Sequence, residues 1–261
     1  MRPMPSERTL LYAGTEFTVE HVCSRTHGPD WSAYYTIGSR RIVLPVGHTV
    51  LDVRSGDSTW LVDGLTAMHL NDAMVYQLRP SPTHATRHSM VVSGYQAPRA
   101  SKAPVFSLLS PASLYRVHAA QKQLRNGDAG PQTVAQLLDE IGTSRQLMPL
   151  NGTVARAKRL LAETTDREAR LSMHALADAV SRSPFHLARS FRQQTGLSLH
   201  QYRQHLRLAT ALDRLACGDQ DLAGIAHDLG YCSQSHLGAV FRREVGVTLG
   251  EARRALTTAR I

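Results

Sequence analysis

Seven residues of the C-terminal region recur fifty positions later in the same order: His186, Leu187, Phe191, Arg192, Gly196, Leu199 and Arg203 return as His236, Leu237, Phe241, Arg242, Gly246, Leu249 and Arg253. Chance does not align that many identities at one offset, so the chain contains two copies of a small unit. Upstream, Leu176-Ala177 corresponds to Ile225-Ala226, one position closer, as turns of different length require. Each copy reads as helix, turn, helix. The first helix offers a small residue, Ala177 or Ala226, where another helix can approach closely. The turn is SRS in one copy and GYCS in the other. Ser183 or Ser233 caps the second helix, whose Leu187 and Phe191, or Leu237, Val240 and Phe241, share an inner face.

The opposite face of each second helix is free to enter a DNA major groove, which admits one α-helix. In the first copy that face carries Phe185, Ala188, Arg189 and Arg192; in the second it carries Gln234, Ser235, Gly238, Ala239 and Arg242. Arg189 is the leading candidate for reading a guanine edge, whereas Arg192, Arg242 and Arg253 suit phosphates. The segment from Leu199 to Ala216 predicts a connecting helix about 27 Å long, enough to hold two recognition helices about one turn of DNA apart. Gly238, inside a helix, costs about 1 kcal/mol against alanine. It serves either a close approach to the sugar-phosphate backbone or nothing in particular.

Charge agrees with an anionic partner. The 30 lysines and arginines exceed the 21 acidic residues by nine, and the surplus is +3 over residues 1–150 but +6 over 151–261. With 42% hydrophobic residues the composition is that of an ordinary globular protein. Three dispersed cysteines, Cys23, Cys217 and Cys232, argue against a disulfide framework and for a reducing compartment. The N-terminus lacks a signal-peptide pattern, and no apolar run approaches the about 20 residues of a membrane span. A cytoplasmic location without membrane attachment is therefore expected.

Ahead of the repeat the pattern changes. Residues 8–105 hold short apolar or alternating runs, FTVEHV, WSAYYTI, RRIVLPV, TVLDV, TWLVD, AMVYQL and HSMVVS, broken by turn residues. They predict seven or eight strands in a small barrel or sandwich. Ser110-Pro111 then opens a helix with Leu114, Val117, Gln121 and Leu124 on one stripe, and Pro131 opens another with Val134, Leu137, Leu138 and Ile141. This helical hairpin at about 112–141 can close on itself, on the barrel or on a second subunit, and we assign its stripes to dimerisation. Residues 143–152 read as a linker. The fold class is thus α+β: a β-rich domain with a helical hairpin over 1–142, then an all-α domain over 153–261 in which a long helix joins two helix-turn-helix units.

From VARAKRLLAE to LGEARR the chain resembles the AraC/XylS family of transcription regulators, through Leu176-Ala177, Ser183, Leu187, Phe191-Arg192, Gly196, Arg207-Leu208, Ala211, Ile225-Ala226, Gly230-Tyr231, Phe241-Arg242, Gly246 and Arg253. The resemblance implies a regulator, more an activator than a repressor, with promoter DNA and RNA polymerase as partners. It also implies a cupin-like front barrel taking a small-molecule effector, and a hairpin that makes a homodimer. Phe185 then stands where a side chain can reach thymine methyl groups, with internal packing as the alternative. Leu249 and Ala252 replace a common proline and tyrosine, and Gly238-Ala239 puts small residues where polar readers often stand, so the second unit is expected to contact mainly the DNA backbone.

A cupin-type metal enzyme or carrier fused to a helical module is the competing reading. His21-x-Cys23-x3-His27 and His84-x3-His88 could be imagined as ligands, but the His-x-His pair that such enzymes use occurs nowhere. No metal, cofactor or catalytic residue is assigned, and an enzyme is not expected. Trp31, Tyr34, Tyr35, Trp60 and Tyr76 are the aromatics able to line an effector pocket, each equally suited to the core.

Overall fold

Strands form where the chain runs short and apolar between turn residues. The structure is a computed structural model that describes residues 6–25, 30–81, 86–95, 104–150, 152–165 and 171–257. Ten strands precede the helices: β1 (Ser6–Ala13), β2 (Thr18–Arg25), β3 (Tyr35–Thr36), β4 (Arg41–Pro45), β5 (Val50–Ser55), β6 (Ser58–Asp63), β7 (Thr66–Leu70), β8 (Val75–Pro80), β9 (Thr86–Ser93) and β10 (Val105–Leu108). All seven expected runs are strands; β1, β7 and β10 are additional. An eleventh, β11 (Arg145–Leu147), pairs with β10, so the expected linker is in part the last strand of a sheet. The two sheets run β1-β2-β9-β4-β7-β10-β11 and β3-β8-β5-β6.

The central strands are buried on both faces, which is why they read as continuous apolar runs rather than alternations. Val19, Val92, Ile42 and His69 stand in register on one face of the larger sheet, and Val91, Val43 and Met68 on the other. His69 is held between Ser107 Oγ (3.1 Å from Nε2) and the Tyr95 hydroxyl (3.4 Å from Nδ1), and burial lowers its pKa to about 4. A folded-state pKa below the unfolded value means that the unfolded chain takes up the proton first as pH falls. This contribution is complete above about pH 6.5 and is lost toward pH 4. Between pH 7.5 and 5 the protein should therefore lose up to about 2 kcal/mol more stability than His69→Gln does. Urea denaturation at the two pH values checks this, and equal losses would refute it.

Two helices follow the sheets, α1 (Pro111–Asn126) and α2 (Pro131–Gly142). Ser110 caps α1 by accepting from the Ser113 N–H, and Gly127 ends it at φ +79°. Leu114, Val117, Leu124, Val134, Leu137 and Ile141 are buried, with Gln121 and Leu138 half-buried. The stripe assigned to dimerisation thus closes within this chain rather than standing open to a second copy. The remaining helices are α3 (Gly152–Glu163), α4 (Met173–Ala179), α5 (Pro184–Thr195), α6 (Leu199–Ala216), α7 (Leu222–Asp228), α8 (Gln234–Val245) and α9 (Leu249–Leu256), with the paired helices of both units and the connector at the expected places. α1 packs against α6, α8 and α9 as well as α2, and α3 lies between the strands β5 and β6 and the helices α4, α5 and α6. No described helix is long and apolar enough to cross a membrane.

The β domain and the helices are joined by a buried polar latch. Asp63, the last residue of β6, is fully buried, as are Lys158 of α3 and Tyr202 of α6. The Tyr202 hydroxyl donates to Asp63 Oδ2 (2.6 Å), while Thr66 Oγ1 (2.8 Å) and the Leu65 N–H (3.1 Å) donate to Oδ1. Lys158 Nζ lies 3.7 Å from Asp63 Oδ2 and donates to the Leu61 carbonyl (2.8 Å) and Thr66 Oγ1 (3.2 Å). Burial pulls the Lys158 pKa down, and Asp63 opposes it. Beside the latch, Arg159 of α3 pairs with Asp52 of β5, which also holds Arg79 of β8 at 2.8 Å. On the other side His118 of α1 meets Asp213 of α6 at 3.0 Å.

Candidate nucleic-acid interface

The fifty-residue repeat survives in the local stereochemistry. Ser183 Oγ accepts from the His186 N–H (3.3 Å) to start α5, and Ser233 Oγ accepts from the His236 N–H (3.1 Å) to start α8. Each helix ends on a left-handed glycine, Gly196 at φ +83° and Gly246 at φ +91°, a conformation open to glycine at little cost. Reciprocal capping boxes then start the next helix, Ser198 with Gln201 before α6 and Thr248 with Glu251 before α9. Even the inner turns correspond: Ser181 takes φ +52° where the second unit has Gly230 at +74°.

Each second helix has a buried back and an exposed front. Leu187, Phe191 and Thr195 anchor α5; Leu237, Val240, Phe241 and Val245 anchor α8. On the front of α5, Phe185 is 76% exposed, far beyond what internal packing of a phenylalanine gives, and Arg189 and Arg192 are exposed with no ion pair among the described residues. Ala188 is half-buried beside them. On α8, Gln234, Ser235, Ala239 and Arg242 are exposed, Gly238 half-buried, and Arg253 of α9 also half-buried. A Cβ on Gly238 would meet only Leu249 Cδ1, at 3.8 Å, so internal packing does not require glycine there. Thr153, Arg182, Ser183, His186 and Ser190 line a surface groove of about 540 Å³ at the start of α5. Arg182, exposed three residues before Phe185, adds a positive charge to that groove and was not singled out from the sequence.

The connector α6 has the 18 residues expected of it. Its Tyr202 ring meets Phe191 edge-on at 5.2 Å between centroids, tying the first recognition helix to the latch. At the corresponding position, fifty residues on, the second unit has the buried Ala252.

Residues 176–255 match the family model described as a helix-turn-helix domain. The "HTH-type transcriptional activator RhaS" of Escherichia fergusonii is 34% identical over 119 residues, 45% of this chain and 43% of that protein. The "HTH-type transcriptional regulator NimR" of Escherichia coli K12 is 42% identical over 72 residues, 28% of this chain and 26% of that one. The C-terminal region is a helix-turn-helix domain of the AraC type. The chain spans less than half the length of these relatives. Among solved structures, the unsaturated-fatty-acid-bound ToxT of Vibrio cholerae aligns over 94% of this chain and 97% of its own at 11% identity and a TM-score of 0.38.

The histidines considered as metal ligands divide. His21 Nε2 and His88 Nδ1 lie 3.3 Å apart with stacked rings, and His27 and His84 fall outside the described residues. Among the described residues no group of three or more potential ligands comes together. Of the aromatics, Trp31 stacks with the guanidiniums of Arg54 and Arg79 (4.3 and 4.7 Å), Trp60 packs on Phe106 in the core, and Tyr34 is exposed. Tyr35 and Tyr76 line a cavity between the sheets.

Proposed function

We propose that the chain is a sequence-specific transcription regulator that binds double-stranded promoter DNA through the front of α5, with α8 contributing mainly contacts to the sugar-phosphate backbone. The observation that carries this is the capped α5, whose exposed side holds an apolar Phe185 and the guanidinium of Arg189, without an ion-pair partner among the described residues, one turn apart: one suited to a thymine methyl group, the other to the O6 and N7 acceptors of guanine. Arg192, Arg242 and Arg253 supply the sequence-independent attraction. The activator role that the relatives' names carry supports activation here, by RNA polymerase contact in the cytoplasm, with control by an effector or partner at the β domain.

Selection of bound sequences from random DNA, run for the protein and for Arg189→Ala at one salt concentration, tests the reading. An enriched motif is expected for the protein, and Arg189→Ala should weaken binding by about 1–3 kcal/mol and relax one base position. Binding that is only salt-sensitive, with no motif, would remove the regulatory reading.

A further inference from the structure

We propose that Arg145, on the last strand of the larger sheet, belongs to the nucleic-acid interface and contacts a DNA phosphate at the C-terminal end of α5. This rests on the reading of the chain as a regulator that binds DNA through α5. The strand β11 pairs with β10, with Arg145 opposite Leu108, so the residue is fixed to the sheet and not to the helical region. Arg145 lies two residues before the buried Leu147 and shares its side of the strand, which turns the side chain toward the body of the molecule. There it meets α5. A Cβ on Gly196 would stand 2.7 Å from Arg145 Cζ and Nε and 2.8 Å from Nη1. Three such similar distances place the glycine over the flat face of the guanidinium, because no point in the plane of the group is that far from all three atoms at once. Only a residue without a Cβ leaves this room.

Contact through the face decides what the group can still do. A guanidinium donates only through the edges of its plane, so packing on Gly196 holds it in place and leaves its N–H fork free. Arg145 is exposed and makes no ion pair or hydrogen bond among the described residues. The last carbonyls of α5 favour a cation at this end of the helix. Its direction matters as well. At about 100° per residue, Phe185, Arg189, Arg192 and Gly196 fall within about 60° of one another around α5. The guanidinium lying on Gly196 therefore closes the exposed row that begins at Phe185. No acidic residue occurs in α5, and Arg145, Arg189 and Arg192 have no carboxylate partner among the described residues. Three like charges in one row repel unless a polyanion runs along them, and a duplex offers one charge per about 1.7 Å of its axis. A phosphate also accepts from the planar fork in two parallel bonds. The second unit has no counterpart: nothing described lies within 4 Å of a Cβ placed on Gly246. The sheet thus adds a sequence-independent contact to the first unit alone.

The test is fluorescence anisotropy of the full-length chain, Arg145→Gln and Arg145→Lys on two labelled duplexes, one recovered by selection from random DNA and one of scrambled sequence, from about 50 to about 200 mM salt. Arg145→Gln should weaken both duplexes alike, by about threefold to tenfold at about 0.1 M salt, and lower the slope of log affinity against log salt by about one. Arg145→Lys should keep most of that slope, since an ammonium also donates to a phosphate. Because the side chain is exposed, thermal midpoints of both variants should stay within about 2 °C of the parent. An unchanged slope in Arg145→Gln would overturn the contact. So would a loss confined to the selected duplex, which would make Arg145 a prop for α5 rather than a partner of DNA. Selection and salt dependence also separate this contact from the regulator itself. A lowered slope with no enriched motif keeps the contact and overturns sequence-specific regulation; an enriched motif whose binding ignores Arg145→Gln overturns the contact alone; no binding to either duplex overturns both.

Discussion

Lys158→Met should cost the protein about 3–5 kcal/mol, because it leaves a fully buried carboxylate with its cation gone. Methionine has nearly the length of the lysine stem, so the effect measures charge rather than an empty space. Asp63 would keep its bonds from Tyr202, Thr66 and Leu65, which satisfy its oxygens without neutralising them. Adding Asp63→Asn to Lys158→Met should recover most of the loss, since the amide oxygen in the Oδ1 position still accepts from Thr66 and the Leu65 N–H, the amide nitrogen donates to the Tyr202 hydroxyl, and no cation is needed. Urea denaturation of the two single variants and the double gives the coupling. A loss below about 1 kcal/mol for Lys158→Met would mean that Asp63 finds water or another partner, and that the latch is no latch.

The second large effect separates the two units. Phe191→Ala should cost about 3–5 kcal/mol, the range for deleting a fully buried aromatic side chain. Phe241 is its repeat partner and equally buried, yet Phe241→Ala should cost less by about 0.5–1.5 kcal/mol, the worth of an edge-on aromatic pair. Only Phe191 has such a partner in Tyr202, and Ala252 stands at the corresponding place in the second unit. Thermal denaturation of both variants decides it. Equal losses would remove the special role given to the Phe191–Tyr202 contact.

What could be read from the chain followed from how local each determinant is. Every helix of the C-terminal region was legible because caps, left-handed glycines and a 3.6-residue stripe are decided within a few residues. The strands β7, β10 and β11 were not, because four or five residues of TAMHL, VFSL or RQL become strands only when a distant edge pairs with them. Nothing local marks the Asp63 carboxylate, at the end of β6, as the centre of a buried cluster. Lys158 did leave a trace. It lies four residues after Val154 and three before Leu161, on the stripe these two bury, where a lysine would otherwise be out of place. The residues proposed to face DNA were readable as positions, and the structure adds which of them are open: Phe185, Arg189 and Arg192 on α5, Gln234, Ser235, Ala239 and Arg242 on α8.

The placement of α1 has a genetic consequence. Its sixteen residues lie more than a hundred positions before α8, yet they pack against α6, α8 and α9 behind the second unit. On the proposed function, mutants isolated only for altered promoter occupancy should therefore map to two clusters: α5 and α8, and the buried face of α1 around Leu114, Val117 and His118, whose alleles would change DNA affinity without touching a base.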